Sequence, residues 1–339
     1  MKALVLGGSV FVGRRLVERL LSAGHQVSVL NRGVTPTAFG HEVEHLVADR
    51  TAMPSMESVL YGREWDAIFD VSGFVMVAGG GDIEGLLDLV DGHVGRYVYV
   101  SSIMAYDQSL TGITNLTEDM GCDLSGPGSY GGFKAMAESA MLSRFSSTGF
   151  PVTVVRPAAI YGPYNNIYDM ETPMYLRLLR QRPILIPHAG SVTGSYGHVD
   201  DLCEMMIGLV GHPSAVGEIF NATADAISSL DYVRVLASIV GVEPNIVMLP
   251  DDLPSGFPRG VYGHLFGSSH NGVLSMTKAE RLLGYQPRLA FEDGHRQTYE
   301  WFNAQGWAEL TEPLSDPVWR SSWNFEAEDQ ACAMLTGEA

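Results

Sequence analysis

Short apolar runs alternate with longer amphipathic stretches over the first part of the chain. This alternation is typical of a parallel sheet covered by helices. The strand candidates are "KALVLG", "QVSVLN", "VEHLVAD", "WDAIFDVS", "RYVYVSS" and "PVTVVRP". Between the first two, "VGRRLVERLLSAG" carries apolar residues at helical spacing and ends at Gly24, which predicts a helix with a glycine at its C-terminus. We therefore predict an α/β fold with a doubly wound parallel sheet.

The pattern changes after about residue 160, where the alternation weakens and Pro, Tyr and His become frequent. We predict one domain over residues 1–160, with a returning segment at about 195–225, and a smaller mixed domain over residues 161–339. The segment "GEIFNAT" is a candidate for a returning strand.

Composition and charge exclude several classes of protein. The chain has 339 residues, 46% of them hydrophobic, and 21 Lys plus Arg against 39 Asp plus Glu, for a formal net charge of −18. This charge repels a phosphate backbone, so nucleic acid is not expected as a partner. The three cysteines, Cys122, Cys203 and Cys332, are too few and too far apart for a disulfide framework or a metal clip. The apolar start "ALVL" is too short for a signal sequence, and no run reaches membrane length, so we expect a cytoplasmic protein without a membrane partner.

A glycine-rich loop follows the first strand, in "KALVLGGSVFVG". A loop that leaves a strand and enters a helix presents backbone N–H groups to an anion. Gly7 and Gly8 allow a tight turn and close approach of a phosphate, and Gly13 allows the helix to lie close to the strand. Val10 stands where dinucleotide-binding loops usually have their middle glycine. The loop residues expected to bind a dinucleotide are Gly7, Gly8, Ser9, Phe11, Val12 and Gly13.

Later motifs extend the pattern over nearly the whole chain. They are "YVYVSSIMAY", "YGGFK", "VVRPAAIYGP", "GHVDDL" and "TKAERLLGYQP". In this order they resemble the extended short-chain dehydrogenase/reductase superfamily, of the NAD-dependent epimerase/dehydratase type. Its stem-loop-binding-protein-like branch also has a bulky residue in the loop, as in "GGTRFIG". The resemblance implies a Rossmann-type domain over residues 1–160 and a mainly substrate-binding domain over residues 161–339.

Tyr130 and Lys134 lie four residues apart, so on a helix they share one face. A tyrosine titrates near pH ~10, so it acts as a base at neutral pH only if a cation stabilises its phenolate. The resemblance implies that Ser102 hydrogen-bonds the substrate oxygen, Tyr130 exchanges its proton, and Lys134 also holds the nicotinamide ribose. The alternative is a surface helical pair, which leaves Ser102 without a partner.

The end of the second strand, "LNRG", carries Asn31 and Arg32 where NAD binders usually have an acidic residue. Because arginine offers a planar fork to a phosphate, we expect NADP, with NAD as the alternative. Arg32 could equally be a solvated residue stacked over adenine. The resemblance adds Asp49 at the adenine, with Arg50 nearby, and a channel lined by Val71, Ser72 and Gly73. Further cofactor contacts are expected from Ser101, Tyr130, Lys134, Pro157, Ala159 and Ile160.

Several positions depart from the sugar-nucleotide members of the superfamily. Ala159 and Gly194 replace an asparagine and an arginine that serve the diphosphate, and Arg259 is too far from "TKAERLLGY" to substitute. No Asp-Glu pair follows Ser102, which disfavours dehydration. Candidate substrate contacts are Phe74, Ser102, Met104, Tyr161, Tyr164 and Tyr196, which suit a cyclic polyol or sugar-like alcohol, although each could also be core.

We therefore expect an NAD(P)-dependent oxidoreductase or epimerase that acts by hydride transfer on a sugar-like or polyhydroxylated small molecule. The alternatives are a nucleotide-sugar epimerase with tightly bound NAD, a non-catalytic NADP-binding redox sensor and an RNA-binding relative. A homodimer is typical of the superfamily. The acidic segment from Ser315, with Trp319 and Trp323, either forms a partner surface or packs on its own domain, the second being favoured.

No metal site is expected. "HEVEH", His41 to His45, matches a zinc-protease pattern that needs both histidines on one helical face, but it runs into a strand pattern. Residues four apart on a strand are separated by ~13 Å, too far to share one zinc. "GGGD" is interpreted as a turn whose Asp82 caps a helix. His198 in "GHVDDL" is interpreted as a structural histidine near the cofactor.

Overall fold

The computed structural model describes residues 1–72, 82–107, 110, 114–258, 261, 266–314 and 323–336. The chain divides into two compact units. The first comprises Met1–Ile160, Val199–Thr223 and Leu274–Arg288, and the second comprises Tyr161–His198, Ala224–Val273 and Leu289–Ala339. The segment "TKAERLLGYQP" therefore belongs to the first unit.

The described strands, in chain order, are β1 (Lys2–Leu6), β2 (Gln26–Asn31), β3 (Glu44–Val47), β4 (Trp65–Asp70), β5 (Val94–Val100), β6 (Thr114–Leu116), β7 (Val152–Pro157), β8 (Ala159–Tyr161), β9 (Ile184–Ile186), β10 (Thr193–His198), β11 (Ile219–Ala222), β12 (Asp225–Ser228), β13 (Ile246–Met248) and β14 (Val273–Leu274). The described α-helices are α1 (Phe11–Ser22), α2 (Met53–Leu60), α3 (Ile83–Val90), α4 (Tyr130–Thr148), α5 (Glu171–Leu179), α6 (Val199–Val210), α7 (Ser229–Val240), α8 (Thr277–Leu283), α9 (Phe291–Ala304) and α10 (Phe325–Thr336).

The first unit is built on a seven-stranded sheet within the described residues, in the order β11-β7-β5-β4-β1-β2-β3. Every neighbouring pair is parallel. The predicted doubly wound parallel sheet is confirmed, and each of the six strand candidates overlaps one of its strands. The seventh strand, β11, comes from "GEIFNAT".

The strand order reverses at β1, which lies between β2 and β4. In open parallel sheets, ligands bind outside the carboxyl ends of the strands at such a switch point. The turns after β1, β2 and β4 meet there, and they carry the glycine loop, Asn31 and Ser72.

Helices cover both faces of this sheet. On one face, Leu16 and Leu20 of α1 share a core with Met206 of α6. On the other face, Leu87 of α3 and Met141 of α4 pack into a second core. Helix α1 ends as predicted, because Gly24 has a φ of +74° and the N–H groups of Gly24 and His25 bond the carbonyls of Leu21 and Leu20.

The second unit contains short sheets and helices around an aromatic core. Strand β10 pairs with β12 in antiparallel orientation, and β13 pairs with β9 in parallel. Helix α10 packs within this unit, since Ala331 shares a cluster with Leu185, Leu249 and Phe257. Trp323, 7% exposed, lies in this packed segment, whereas Ser315 and Trp319 lie outside the described residues. None of the described helices is long and apolar enough to span a membrane.

Candidate active site

The glycine loop between β1 and α1 has no space for side chains at its two ends. Gly7 has a φ of +97°, which L-residues with side chains rarely adopt. A Cβ on Gly13 would lie 2.1 Å from the carbonyl oxygen of Gly7. Because that obstacle is backbone, the first turn of α1 approaches the end of β1 as closely as it does only with glycine at this position.

Val10 is compatible with this loop because its backbone is extended. It is the residue before α1, with φ −136° and ψ 157°, and its side chain makes no capping hydrogen bond. Its carbonyl oxygen accepts the N–H of Arg14. Phe11 buries its ring in the core beside α1, so it reaches the loop only through its backbone. The bulky residue at the middle-glycine position therefore leaves the turn intact.

Asn31, the last residue of β2, connects the glycine loop to the turn after β2 and to β3. Its amide nitrogen donates to Ser9 Oγ at 2.6 Å. Its amide oxygen accepts from the Gly33 N–H at 2.7 Å and from His45 Nε2 at 2.8 Å. Asn31 is therefore a positioning residue for the loop, while the adjacent Arg32 is exposed.

Asp49 follows β3 and is held by its own turn. Its carboxylate accepts the N–H and the hydroxyl of Thr51 at 2.9 and 2.8 Å. These hydrogen bonds, with a contribution from the charge of Arg32, lower the pKa of Asp49. Arg32 and Asp49, a cation and an anion, thus lie exposed after β2 and β3.

Arg50, in contrast, points inward. It is 6% exposed, and its two terminal nitrogens contact the two carboxylate oxygens of Asp70 at 2.5 and 2.8 Å. Arg50 also donates to Ser72 Oγ at 2.7 Å. Tyr97 donates its hydroxyl to Asp70 at 2.7 Å. Arg50 thus forms an ion pair with the buried Asp70 and a hydrogen bond with Ser72.

Helix α4 carries the predicted catalytic pair. It begins at Tyr130, and Ser129 Oγ caps it by accepting the Gly132 N–H at 2.9 Å. A Cβ on Gly131 would lie 1.9 Å from the carbonyl oxygen of Met104, so the start of α4 packs tightly on the turn after β5. This close approach brings Tyr130 to Ser102.

Ser102, Tyr130 and Lys134 meet in the first unit. Ser102 lies near enough to Tyr130 to act on the pKa of its phenol. Lys134 Nζ lies 5.8 Å from the centroid of the Tyr130 ring. Burial raises the pKa of Tyr130, and the hydrogen bond from Ser102 opposes that effect. The catalytic roles of these three residues remain predictions.

Lys134 is a buried ammonium, 3% exposed, which donates to the carbonyl oxygen of Val100 at 2.7 Å. Burial lowers its pKa from 10.5 to about 8. The charge of Arg50 also lowers this pKa, whereas Asp70 and Glu138 raise it.

Ser101 faces a second buried ion pair. Its hydroxyl donates to Glu138, which also pairs with Arg156 at 2.6 Å. Both members of this pair are at most 2% exposed. Pro157 ends β7, and Ala159 and Ile160 form the start of β8. The cofactor roles of these residues remain predictions.

The candidate substrate residues have different environments. Tyr161 and Tyr196 are buried in the second unit, where the Tyr161 ring stacks on His295 at 3.9 Å. Tyr164 is half-buried beside Trp301 and has a left-handed φ of +68°. Met104, in the first unit, is 43% exposed. Gly73 and Phe74 lie outside the described residues, as does Arg259.

The competing motifs take the conformations expected of structural residues. His41 lies in a single 3-10 turn and His45 on β3, so "HEVEH" is not helical. Asp82 caps α3 by accepting the Gly85 N–H at 2.9 Å. His198 is fully buried in the second unit, edge-on to Tyr161. Within the described part of the chain, no group of three metal-ligating side chains is present.

Sequence reasoning missed Asp70, Glu138 and Glu171. The signal for Asp70 was available, because an aspartate ends the otherwise apolar strand "AIFD". Glu171 gave no comparable signal. It is buried at the start of α5, where the amide of Asn165 donates to its two oxygens at 2.9 and 3.2 Å. Burial raises its pKa to about 8.

Comparison with known families identifies the family of this chain. The model of the NAD dependent epimerase/dehydratase family matches residues 3–81 and 82–223, which is more than half of the chain. The chain belongs to this family. The predicted enzyme type, within the extended short-chain dehydrogenase/reductases, is confirmed at the level of the family.

Relatives of this epimerase/dehydratase chain have several functions. A chloroplast stem-loop binding protein of 41 kDa from Arabidopsis thaliana is 28% identical over 313 residues, covering 88% of this chain and 78% of the relative. A UDP-glucose 4-epimerase from Mycolicibacterium smegmatis is 26% identical over 333 residues, covering 89% of this chain and 98% of the relative.

Solved structures share the fold. A UDP-glucose 4-epimerase from Thermotoga maritima with UDP-glucose has a TM-score of 0.74 at 22% identity, covering 90% of this chain and 99% of that one. A dTDP-glucose 4,6-dehydratase from Bacillus anthracis in complex with NAD has a TM-score of 0.73 at 21% identity, covering 90% and 97%.

Proposed function

We propose that this chain is an NADP-linked oxidoreductase or epimerase acting on a secondary alcohol or ketone of a sugar-like small molecule. The observation that carries the proposal is the position of the buried Lys134 ammonium 5.8 Å from the centroid of the Tyr130 ring, with Ser102 near enough to lower the pKa of Tyr130. A phenol beside a hydroxyl group and a cation is suited to exchange a proton with a substrate oxygen.

The residues around the switch point fit a nicotinamide dinucleotide. The loop from Gly7 to Gly13 is packed so closely that a Cβ on Gly13 would lie 2.1 Å from the Gly7 carbonyl oxygen, and α1 begins there with its N-terminal amides. These groups suit the pyrophosphate. Asn31 and Ser9 fix the loop beside the expected adenosine ribose. When bound, the nicotinamide would supply the acceptor and donor of a hydride.

The chain's own residues supply proton transfer and charge. Tyr130 would take the proton of a substrate hydroxyl during oxidation and return it during reduction. Ser102 would donate a hydrogen bond to the substrate oxygen, and charged Lys134 would stabilise the phenolate of Tyr130. Because burial lowers the pKa of Lys134 to about 8, this stabilisation would weaken as the pH rises above that value.

Exposed Arg32 supports NADP rather than NAD. It follows Asn31 at the end of β2, where a 2′-phosphate would meet a guanidinium rather than a carboxylate. Asp49 is the carboxylate that follows the next strand, β3, and its own turn already uses one of its oxygens. These contacts support a preference for the phosphorylated ribose.

The first experiment is to purify the protein, denature it, and identify any released nicotinamide by mass and absorbance. A protein that is empty as purified and binds NADPH far more tightly than NADH supports an exchanging reductase. Stoichiometric bound NAD contradicts the argument from Arg32 and points to epimerisation, in which the hydride returns to the same substrate.

A second candidate function, RNA binding, is favoured by the stem-loop binding relative from Arabidopsis thaliana. The net charge of −18 opposes it, because RNA binding needs cations to neutralise phosphates. Retention of a stem-loop RNA at low salt that falls steeply with added salt would support RNA binding. An equal lack of retention at every salt concentration would dismiss it.

A further inference from the structure

The catalytic lysine of the proposed site is surrounded by buried charges that the reaction itself does not use. On its own helix, Lys134 faces Tyr130 and Glu138. From the neighbouring segments it meets Asp70 of β4, Arg50 after β3 and Tyr99 of β5. Tyr97, also of β5, donates to Asp70. The state of the ammonium depends on the balance of these groups.

The register of the sheet connects Asp70 to the lysine. Asp70 on β4 is the direct neighbour of Tyr99 on β5. The Tyr99 ring centroid lies 5.2 Å from Lys134 Nζ, within the range of a cation–π contact. Residues opposite each other in parallel strands point to the same face of the sheet, and α4 covers this face through Ala137 and Met141. Asp70 and Lys134 therefore share one buried layer.

The other buried carboxylate near Lys134 is already neutralised. Glu138 contacts Arg156 through both of its oxygens and also accepts the hydroxyl of Ser101. Lys134 itself donates to a neutral carbonyl oxygen, that of Val100. Among the described charged groups that act on the ammonium, Asp70 favours it most, Arg50 disfavours it, and Glu138 favours it less.

Tyr99 is a buried polar residue in the same layer as Asp70 and Lys134. Its ring is 1% exposed, and its buried hydroxyl makes no hydrogen bond to any part of the chain that the structure describes. Burial and the nearby Asp70 raise the pKa of Tyr99 well above its ordinary value, so the hydroxyl stays neutral. It therefore contributes a dipole but no compensating charge for Lys134.

We propose that Asp70 is a positioning residue that keeps the Lys134 ammonium charged next to Tyr130, and that Arg50 sets how strongly it does so. The two contacts of Arg50 hold both carboxylate oxygens of Asp70, which leaves Lys134 with only part of that negative charge. This inference rests on the proposed function for its catalytic meaning, but its electrostatic content can be tested without substrate or cofactor.

The chain offers a direct measurement because it has only three lysines, Lys2, Lys134 and Lys278. Labelling the full-length protein with [6-¹³C]lysine gives three resonances, and a Lys134→Met variant assigns the one of interest. Titrating that signal measures the Lys134 pKa, while Lys2 and Lys278 serve as internal references.

Opposite shifts are expected for the two partners. Asp70→Asn removes the favourable charge and leaves Arg50, so the Lys134 pKa should fall by about one unit or more. Arg50→Gln should raise it. The matched control is Asp66→Asn, an exposed aspartate on the same strand, which should not move the signal.

The proposal is overturned if Asp70→Asn shifts the Lys134 signal no more than Asp66→Asn does, or if Asp70→Asn and Arg50→Gln shift it in the same direction. Should Asp70→Asn fail to fold, the sign of the Arg50→Gln shift alone decides. Activity is a separate readout: the alkaline limb of the rate profile should move with the Lys134 pKa. If the pKa shifts occur but Tyr130→Phe leaves activity intact, the proposed function fails and the electrostatic inference stands.

Discussion

Replacing Gly13 with alanine should damage cofactor binding and stability together. The new Cβ would lie 2.1 Å from the Gly7 carbonyl oxygen, about 1.3 Å closer than the 3.4 Å at which ordinary contact begins. Since the obstacle is backbone, either the start of α1 or the loop must move by about 1 Å. Overpacking of this kind costs about 1–3 kcal/mol, so the free energy of unfolding should fall by that amount.

The same displacement lengthens hydrogen bonds from the helix N-terminus to a pyrophosphate. A hydrogen bond to a charged group contributes about 1.5–3 kcal/mol. Losing one such bond therefore weakens NADPH binding about 10- to 100-fold. The assay is titration with NADPH followed by tryptophan fluorescence, at a temperature where circular dichroism shows the variant folded, with urea unfolding measured in parallel.

Gly208→Ala is the matched control for this substitution. Gly208 lies inside α6 of the same unit, and a Cβ there meets nothing within 4 Å. This variant should gain about 0.5–1 kcal/mol in stability and bind NADPH as the wild type does. Wild-type affinity and stability in Gly13→Ala would refute the argument that this loop is a close-packed phosphate cradle.

Three further predictions follow from single residues. Arg32→Ala should weaken NADPH binding by about tenfold or more while NADH affinity stays within about twofold; equal losses for both cofactors would show that Arg32 does not read the 2′-phosphate. Folded Glu171 has a pKa of about 8 against an ordinary 4.5, so the stability gained by protonation is complete below pH 4.5 and lost as pH rises through about 8. In Glu171→Gln, the difference between the free energies of unfolding at pH 5 and pH 8.5, measured with urea, should shrink by an amount on the order of a few kcal/mol. The same difference as in the wild type would contradict this prediction. Arg156→Met should cost about 3–5 kcal/mol by leaving Glu138 unpaired, and adding Glu138→Gln should recover more than half; a double variant no more stable than the single one would argue against the ion pair as the cause.

Local patterns predicted the sheet and the shared helical face of Tyr130 and Lys134 because both depend on short-range sequence. The β-branched runs specify strands, and the four-residue spacing of Tyr130 and Lys134 specifies one helical face. The glycine loop was also predictable from sequence. A strand-turn-helix of this kind needs glycine at the position of Gly13, because a side chain there would collide with the backbone of the loop. In each case the residues that define the feature lie within one turn or one strand.

Contacts between segments far apart in the sequence could not be predicted from local patterns. Arg50 looked like a cofactor residue because it follows Asp49, but its guanidinium turns inward to Asp70, 20 residues later on another strand. Tyr161 and Tyr196 carry the hydroxyl-tipped rings expected of a sugar pocket, yet the same residue type also fills cores, and both are buried. Their roles depend on tertiary packing, which a single sequence pattern does not encode.

Tyr130 is proposed as the group that exchanges a proton at the reacting oxygen. The most direct test is single-turnover transfer of deuterium from [4-²H]NADPH to a panel of sugar-like ketones, with products analysed by mass spectrometry in the wild type and in Tyr130→Phe. The account predicts transfer to at least one ketone by the wild type and a loss of about 100-fold or more in the variant, because general acid–base catalysis contributes about that much. Equal deuterium transfer by both proteins would contradict it.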